Sequence, residues 1–204
     1  MPTILATLLD AHRTAILASI GVVDQVRTEH LNLPTPCGDW PLAELLAHMT
    51  AQHLGFASAA RGSTDARVWD PTTVLDSVTT DPGGSYAAAA HDVLAAFAAD
   101  GVAEVQFRLP DLGPDVTVPG DMALGFHFVD YVVHGWDVAV TIGAAYRPPA
   151  DVLTAVLPIA LAVPDGDFRE QPGAPFARAV EPAGADDFER ILTHLGRRPG
   201  RTQA

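Results

Sequence analysis

A chain of 204 residues, 48% of them hydrophobic and 18% charged, has enough apolar material for a core, which excludes a largely disordered protein. Its 12 Lys and Arg against 25 Asp and Glu give a net charge of −13, which disfavours nucleic acid and anionic membranes as partners. No segment approaches about 18 uninterrupted apolar residues, so we expect a single-domain cytoplasmic protein over residues 1–204.

The N-terminal part of the chain predicts two amphipathic helices joined by a tight turn. Apolar residues recur at three- and four-residue intervals over residues 3–27, as on one face of a helix. Pro34 and Pro36 then forbid continuation of that helix. Asp39 offers an N-cap for the second helix, which we predict to run to about Arg61.

The turn between these helices contains Cys37, the only cysteine of the chain. A single cysteine rules out an intramolecular disulfide and a cysteine-rich zinc site. A nucleophilic role is conceivable, but a lone cysteine between Pro36 and Gly38 is more often structural. Any metal site must therefore depend on histidine and carboxylate ligands.

The middle of the chain changes from loop to helix and then to an extended pattern. Residues 63–82 are rich in Thr, Asp and Pro and are predicted to form a loop over the bundle end. A third, alanine-rich helix is predicted over residues 86–99. Apolar and polar residues alternate within 105–118, which predicts a short β-hairpin or extended arm.

The C-terminal part predicts three more helices. The longest covers residues 122–142 and ends at a glycine. The next covers about 151–162 and must be kinked or shortened at Pro158. A strap rich in Pro and Gly leads to a last helix over 185–195, and residues 197–204 predict a frayed tail.

The helix predicted over 122–142 has a polar stripe on an otherwise apolar surface. His127, Asp130, His134 and Asp137 recur at intervals of three and four, so they share one face. Burial of two imidazoles and two carboxylates without partners is costly for each ionised group. A divalent metal bound by Asp130 and His134 would satisfy them.

His48 is the best third ligand, because it lies in the middle of a helix expected to pack on the central one. A His, carboxylate and His set leaves one coordination position open. His53 is an alternative, but it lies about 140° around the helix from His48, so the two should not share a site. A hydrogen-bonded His134 and Asp130 pair without metal is the structural alternative.

The remaining histidines and tryptophans are predicted to be structural. Trp40 and Trp136 are expected in packing roles, and Asp137 is placed to orient a ligand imidazole. Four histidines are predicted to be surface or partly buried helix residues: His12, His30, His91 and His194.

Three segments carry a resemblance to a known family: residues 35–40 (TPCGDW), 45–48 (LLAH) and 133–137 (VHGWD). They resemble actinobacterial metal-binding proteins related to the N-terminal domain of mycothiol-dependent maleylpyruvate isomerase, within the DinB-like superfamily. The similarity covers most of the chain and includes a closing helix before Gly196.

This resemblance implies a mainly α fold, a DinB-like four-helix bundle with the short hairpin or arm and a C-terminal helix. It also implies a divalent metal held by a histidine of the second helix and by an acidic residue and a histidine of a later helix. These correspond to His48, Asp130 and His134. The isomerase has glutamate where this chain has Asp130, so the carboxylate here is one methylene shorter.

Together these features predict a metal-dependent enzyme, with zinc as the expected metal. It would activate a mycothiol-like thiol, or water, for transfer, isomerisation or hydrolysis of a small electrophilic metabolite. His127 is the candidate proton carrier. Two alternatives remain: a non-catalytic bundle that binds a metal or small ligand for sequestration or resistance, and a metal-free acid–base enzyme. We expect a small-molecule partner and a monomer or homodimer.

Overall fold

The computed structural model describes residues 4–113, 115–171, 174–182, 184 and 186–200. It divides into two compact units, Met1–Tyr146 and Arg147–Ala204. The described part is mainly helical with one two-stranded sheet, which confirms the predicted fold class. The single domain over 1–204 stays a prediction. Three predicted features, the helix start at Thr3, the helix start at Ala185 and the tail at 201–204, lie outside the described residues.

The first unit is a four-helix bundle. Its helices are α1 (Ile4–Val23), α2 (Leu42–Ala60), α3 (Leu75–Thr80), α4 (Pro82–Phe97) and α5 (Gly120–Ile142). Helices α1 and α2 each pack against both α4 and α5, so the four long helices close a ring, and the short α3 packs on α2 and α4. The metal-ligand candidates are therefore on two helices in contact.

Two apolar clusters fill this unit. One joins buried side chains of α1, α2 and α5, among them Ile16, Leu45 and Tyr131. The other lies under the hairpin and includes Phe97 and Phe107. Within the described chain, α1 alone has the length and hydropathy of a membrane span, but 44% of that window is buried, as in a core helix of a bundle.

The start of α2 differs from the prediction. Its N-cap is Pro41, so Asp39 is not the cap. The first amide groups of the helix are satisfied by backbone instead: Leu42 N donates to Leu33 O at 3.0 Å, and Ala43 N donates to Leu31 O at 2.9 Å. Because the preceding turn folds back and supplies these carbonyls, no side-chain cap is needed.

The prediction of a loop over residues 63–82 is wrong. This segment forms two 3-10 helices, Ala66–Trp69 and Pro71–Thr73, and then α3. Asp65 and Asp70 cap the 3-10 helices by accepting the N–H groups of the second residue of each. The Asp and Pro that suggested a loop are helix-start residues here.

The predicted hairpin is confirmed by two short antiparallel strands, β1 (Gln106–Arg108) and β2 (Thr117–Pro119). Phe107 and Val118 face each other across the pair, and both are buried. Helix α5 follows at once from Gly120, where a Cβ atom would overlap the carbonyl oxygen of Val102. Only glycine therefore fits at the first residue of the helix that carries Asp130 and His134.

The second unit contains α6 (Ala150–Ala162) and α7 (Asp187–His194), which pack together. Helix α6 continues past Pro158, so the predicted shortening does not occur. Arg169 is buried and donates to backbone carbonyls, which tie the strap to α7. The prediction of a frayed tail is wrong at Arg197. This residue is buried, and its backbone N–H donates to the Leu192 carbonyl at 2.8 Å.

Candidate metal centre

The structure brings together the three predicted metal ligands. His48 comes from the middle of α2, and Asp130 and His134 lie one turn apart on α5. One ligand atom from each residue lies within 4.8 Å of the other two. Asp130 and His134 share a face because they are four residues apart, and contact between α2 and α5 adds His48.

The distances suit a zinc-sized ion. His134 Nε2 lies 3.3 Å from Asp130 Oδ1, and two ligands about 2.0–2.1 Å from a tetrahedral zinc lie about 3.3 Å apart. The rings of His48 and His134 have centroids 5.5 Å apart and lie nearly perpendicular. The Asp130 side chain is 22% exposed, so one side of the site opens to solvent. Two imidazoles and one carboxylate with an open side fit a divalent metal that keeps a position for a ligand.

Asp137 orients the His134 ring, as the sequence predicts. Its Oδ2 lies 2.9 Å from His134 Nδ1, and both side chains are buried. When Nδ1 carries the hydrogen and donates it to this carboxylate, the lone pair of Nε2 is directed towards Asp130 and His48. This carboxylate–histidine arrangement is typical of metal sites.

The charges around the site favour a cation. Burial alone would lower the pKa of His134, but the charge of Asp130 and hydrogen bonds to Asp130 and Asp137 outweigh it and raise that pKa well above 6.5. Burial lowers the pKa of His48, and the nearby His134 lowers it further. The carboxylate of Asp130 therefore favours a positive charge beside His134 Nε2, where a metal ion shared with His48 would lie.

Two further residues lie beside His48. The Trp40 ring has its centroid 4.8 Å from that of His48 and is 37% exposed. Asp111, in the loop between β1 and β2, accepts a hydrogen bond from Gln52 Nε2 at 2.8 Å, and its charge slightly opposes the lowering of the His48 pKa that burial causes. Sequence reasoning missed Asp111, because only the folded hairpin brings it to α2.

His127 is not part of this ligand set. It lies in a buried chain of three imidazoles, in which His12 Nε2 is 2.8 Å from His127 Nδ1 and His53 Nδ1 is 3.1 Å from His127 Nε2. Burial lowers the pKa of His12 to about 3 and holds those of His53 and His127 well below 6.5. The role of His127 as proton carrier stays a prediction.

The other histidine predictions have mixed outcomes. His12 was predicted to be at the surface or partly buried, and this is wrong because its side chain is 1% exposed. The expectation that His53 and His48 do not share a site is confirmed, since His53 pairs with His127. His91 is exposed, and His30 and His194 are partly buried, as predicted.

Cys37 lies closer to the site than the sequence suggested. Its Sγ atom belongs to a second group of possible ligand atoms, with His134 and Asp137, that all lie within 4.8 Å of one another. The side chain is half-buried. The signal that could have found it was its place in the segment 35–40, directly before the helix that carries His48.

The comparison with protein families matches residues 12–139 to the mycothiol maleylpyruvate isomerase N-terminal domain. The chain belongs to this family. The match covers all four long helices of the bundle at least in part, and it includes the three metal-ligand candidates.

Relatives and solved structures agree with this assignment. Uncharacterised proteins from two strains of Mycobacterium tuberculosis are each 31% identical over 190 residues, covering 93% of this chain and 97% of theirs. A crystal structure of the mycothiol-dependent maleylpyruvate isomerase matches with a TM-score of 0.60 at 15% identity, covering 79% of this chain and 71% of that one. The crystal structure of a histidine-to-alanine mutant of that isomerase matches with a TM-score of 0.61 at 13% identity. At these identities the likeness establishes the fold.

Proposed function

We propose that this chain is a metal-dependent enzyme that activates a thiol such as mycothiol, or water, for isomerisation, transfer or hydrolysis of a small electrophilic metabolite. The observation that carries the proposal is the convergence of His48, Asp130 and His134 within 4.8 Å. Family membership supports it, since the solved relative is a mycothiol-dependent isomerase. This relation favours a thiol over water as the activated group, and isomerisation over transfer or hydrolysis. The proposed enzyme is cytoplasmic.

Three residues would bind the metal, and a fourth would orient one of these ligands. A divalent metal, with zinc expected, lowers the pKa of a thiol or water bound to it. His48, Asp130 and His134 would hold this ion. Asp137 keeps the His134 ring in place through the 2.9 Å hydrogen bond, so that Nε2 faces the other two ligands.

The partly exposed side of the site is where a substrate would enter. Trp40 offers an exposed aromatic surface beside His48, suited to the apolar part of a small metabolite. Asp111 is held by Gln52 on the same side of α2 and offers carboxylate oxygens there as hydrogen-bond acceptors. His127 remains the proposed proton carrier, supported by its place on α5 one turn before Asp130.

A metal-free acid–base enzyme is the second candidate. The observation that favours it is the raised pKa of His134, which gives a protonated imidazole paired with Asp130 when no metal is bound. A protonated histidine beside a partly exposed carboxylate is a usable proton donor. In that case activity would survive complete removal of metal by a chelator, whereas the leading proposal requires its loss.

The deciding experiment measures metal content and turnover on the same protein samples. The protein is purified with zinc, its metal is quantified by mass spectrometry, and reaction of mycothiol with maleylpyruvate and related electrophiles is followed. His48→Ala and His134→Ala should lose the bound zinc and lower turnover more than about 100-fold. His91→Ala, an exposed histidine on α4, is the matched control and should change neither. Unchanged metal content in both site variants would defeat the ligand assignment.

Zinc binding without turnover would instead support the non-catalytic alternative, a bundle that sequesters a metal or a small ligand. Tests with a thiol and with electrophiles then distinguish a binding protein from an enzyme. A thiol that binds the zinc-loaded protein and not His48→Ala, with no product formed from any electrophile, would contradict the enzymatic part of the proposal and leave the site assignment intact.

A further inference from the structure

His134 lies between two groups of possible ligands. Its Nε2 atom is 3.3 Å from Asp130 Oδ1, on the side of His48, and its Nδ1 atom is 2.9 Å from Asp137 Oδ2. The Cys37 Sγ atom completes a second group with His134 and Asp137, all within 4.8 Å of one another. The two ring nitrogens therefore take part in different contacts, and the function proposed above uses only one of them as a metal ligand.

We propose that Cys37, His134 and Asp137 form a second cation site, selective for thiophilic divalent ions such as Zn²⁺, Co²⁺ and Cd²⁺. Thiolate, imidazole and carboxylate are all zinc ligands, and a thiolate selects against Mg²⁺ and Ca²⁺. The site shares His134 with the first site but does not depend on any enzymatic activity. The fourth position would be open to water or a thiol, since the Cys37 side chain is half-buried.

The charges balance when a divalent ion binds. The Cys37 thiolate and the buried Asp137 carboxylate together carry two negative charges, which compensate the ion in a part of the protein where an unpaired charge is costly. Binding releases two protons, one from the Cys37 thiol and one from the His134 imidazole. With the first site empty, His134 binds through Nδ1 and keeps a proton on Nε2, facing Asp130. With the first site filled, His134 would hold an ion on each nitrogen only after it had lost its last ring proton.

The turn that carries Cys37 is already fixed in the protein. Thr35 Oγ1 accepts the Cys37 N–H at 3.1 Å and donates to the Trp40 carbonyl at 2.8 Å. Gly38 follows with a φ of +64°, a conformation suited to glycine. Little backbone ordering is therefore left for the ion to impose, which favours binding.

Cobalt titration of the metal-free protein tests the site, because a sulfur-to-cobalt charge-transfer band appears only when a thiolate is a ligand. His48→Ala removes the first site, and we expect it still to bind one Co²⁺ with this band. Cys37→Ser in the same background should abolish the band, because no other cysteine exists in the chain. In the same His48→Ala background, which lacks the first site, Asp137→Asn should weaken Co²⁺ binding more than about tenfold. No band in the wild type or in His48→Ala at excess Co²⁺ would overturn the proposal.

Alkylation of the wild-type protein gives a second readout that needs no variant. Zn²⁺ added beyond the first equivalent should slow the reaction of iodoacetamide with Cys37 at least tenfold, as followed by intact mass, and Mg²⁺ should not. Equal rates with and without Zn²⁺ would contradict the second site. These results are independent of the function proposed above: loss of turnover in His48→Ala tests the first site alone, and the cobalt–sulfur band tests the second alone.

Discussion

His134 Nδ1 lies 2.9 Å from Asp137 Oδ2, three residues further along α5, and both side chains are buried. The carboxylate therefore controls which ring nitrogen faces the other proposed metal ligands, His48 and Asp130. Asp137→Asn keeps the shape but removes the charge, and we expect zinc affinity at the first site to fall about 10- to 100-fold. Competition with a chromophoric chelator, in a Cys37→Ser background, measures this affinity alone. Asp121→Asn, on the exposed first turn of α5, is the control, and equal affinities in the two variants would contradict this role.

The three buried imidazoles of His12, His53 and His127 predict loss of stability in mild acid. Their pKa values are lowered in the folded protein, so below about pH 6.5 the unfolded chain binds protons that the folded chain does not. The free energy of unfolding should therefore fall as the pH is lowered from 6.5 towards 5, by up to about 1.4 kcal/mol per pH unit for each histidine. His134, whose folded pKa is raised, contributes the opposite dependence, but only above pH 6.5.

Urea unfolding of the metal-free protein at several pH values between 5 and 6.5 measures this slope. Replacement of one imidazole, as in His12→Gln, should reduce the slope by up to about 1.4 kcal/mol per pH unit, whatever its effect on stability at pH 7. His91→Gln, at an exposed position of α4, should leave the slope unchanged. If the free energy of unfolding depended on pH equally in the wild type and His12→Gln, His12 would become protonated without unfolding.

Metal binding should be visible in the fluorescence of Trp40. Its ring centroid is 4.8 Å from that of His48, so a change in the charge or position of this imidazole alters the surroundings of the indole. We expect zinc titration to change the emission of the wild type, and Trp40→Phe to lose most of that change while still binding zinc by mass spectrometry. Trp69→Phe, whose ring packs on Phe56, is the control and should keep the signal. A full signal in Trp40→Phe would place the ion elsewhere.

Gly135 lies beside the proposed metal ligand His134, and a side chain should not be tolerated there. A Cβ atom at this position would lie 2.6 Å from Cζ of the partly buried Tyr146 ring. We expect Gly135→Ala to lower the free energy of unfolding by about 1–3 kcal/mol. Gly21 on α1 has no atom within 4 Å of such a Cβ, so Gly21→Ala should raise stability by about 0.5–1 kcal/mol through helix propensity. Thermal unfolding compares the two variants. Equal shifts of their melting temperatures would contradict a steric clash at Gly135.

The sequence predicts the long helices and the shared face of Asp130 and His134 well, because both depend on local periodicity. Its failures involve contacts between distant segments. Periodicity assigns a residue to a face but does not give its depth, and His12 is buried only because α5 brings His127 against it. Asp39 looks like a cap, but carbonyls from the preceding turn satisfy the start of α2. His48 is the best third ligand from its place on a helix expected to pack on the central one, but spacing within one helix does not identify the partner helix, and the family resemblance strengthened this assignment.

The chain His12–His127–His53 also has a direction. A neutral imidazole carries one hydrogen on one of its two nitrogens, so the two hydrogen bonds must both point from His12 to His53 or both from His53 to His12. Reversal of either bond alone would place two hydrogens, or none, on His127. The three rings therefore change tautomer together, and the whole row has two states. Within the described chain, His53 Nε2 has no hydrogen-bond partner, and it carries a hydrogen in one state and a lone pair in the other. Nitrogen chemical shifts of these three rings would report a single two-state equilibrium located between α1, α5 and α2.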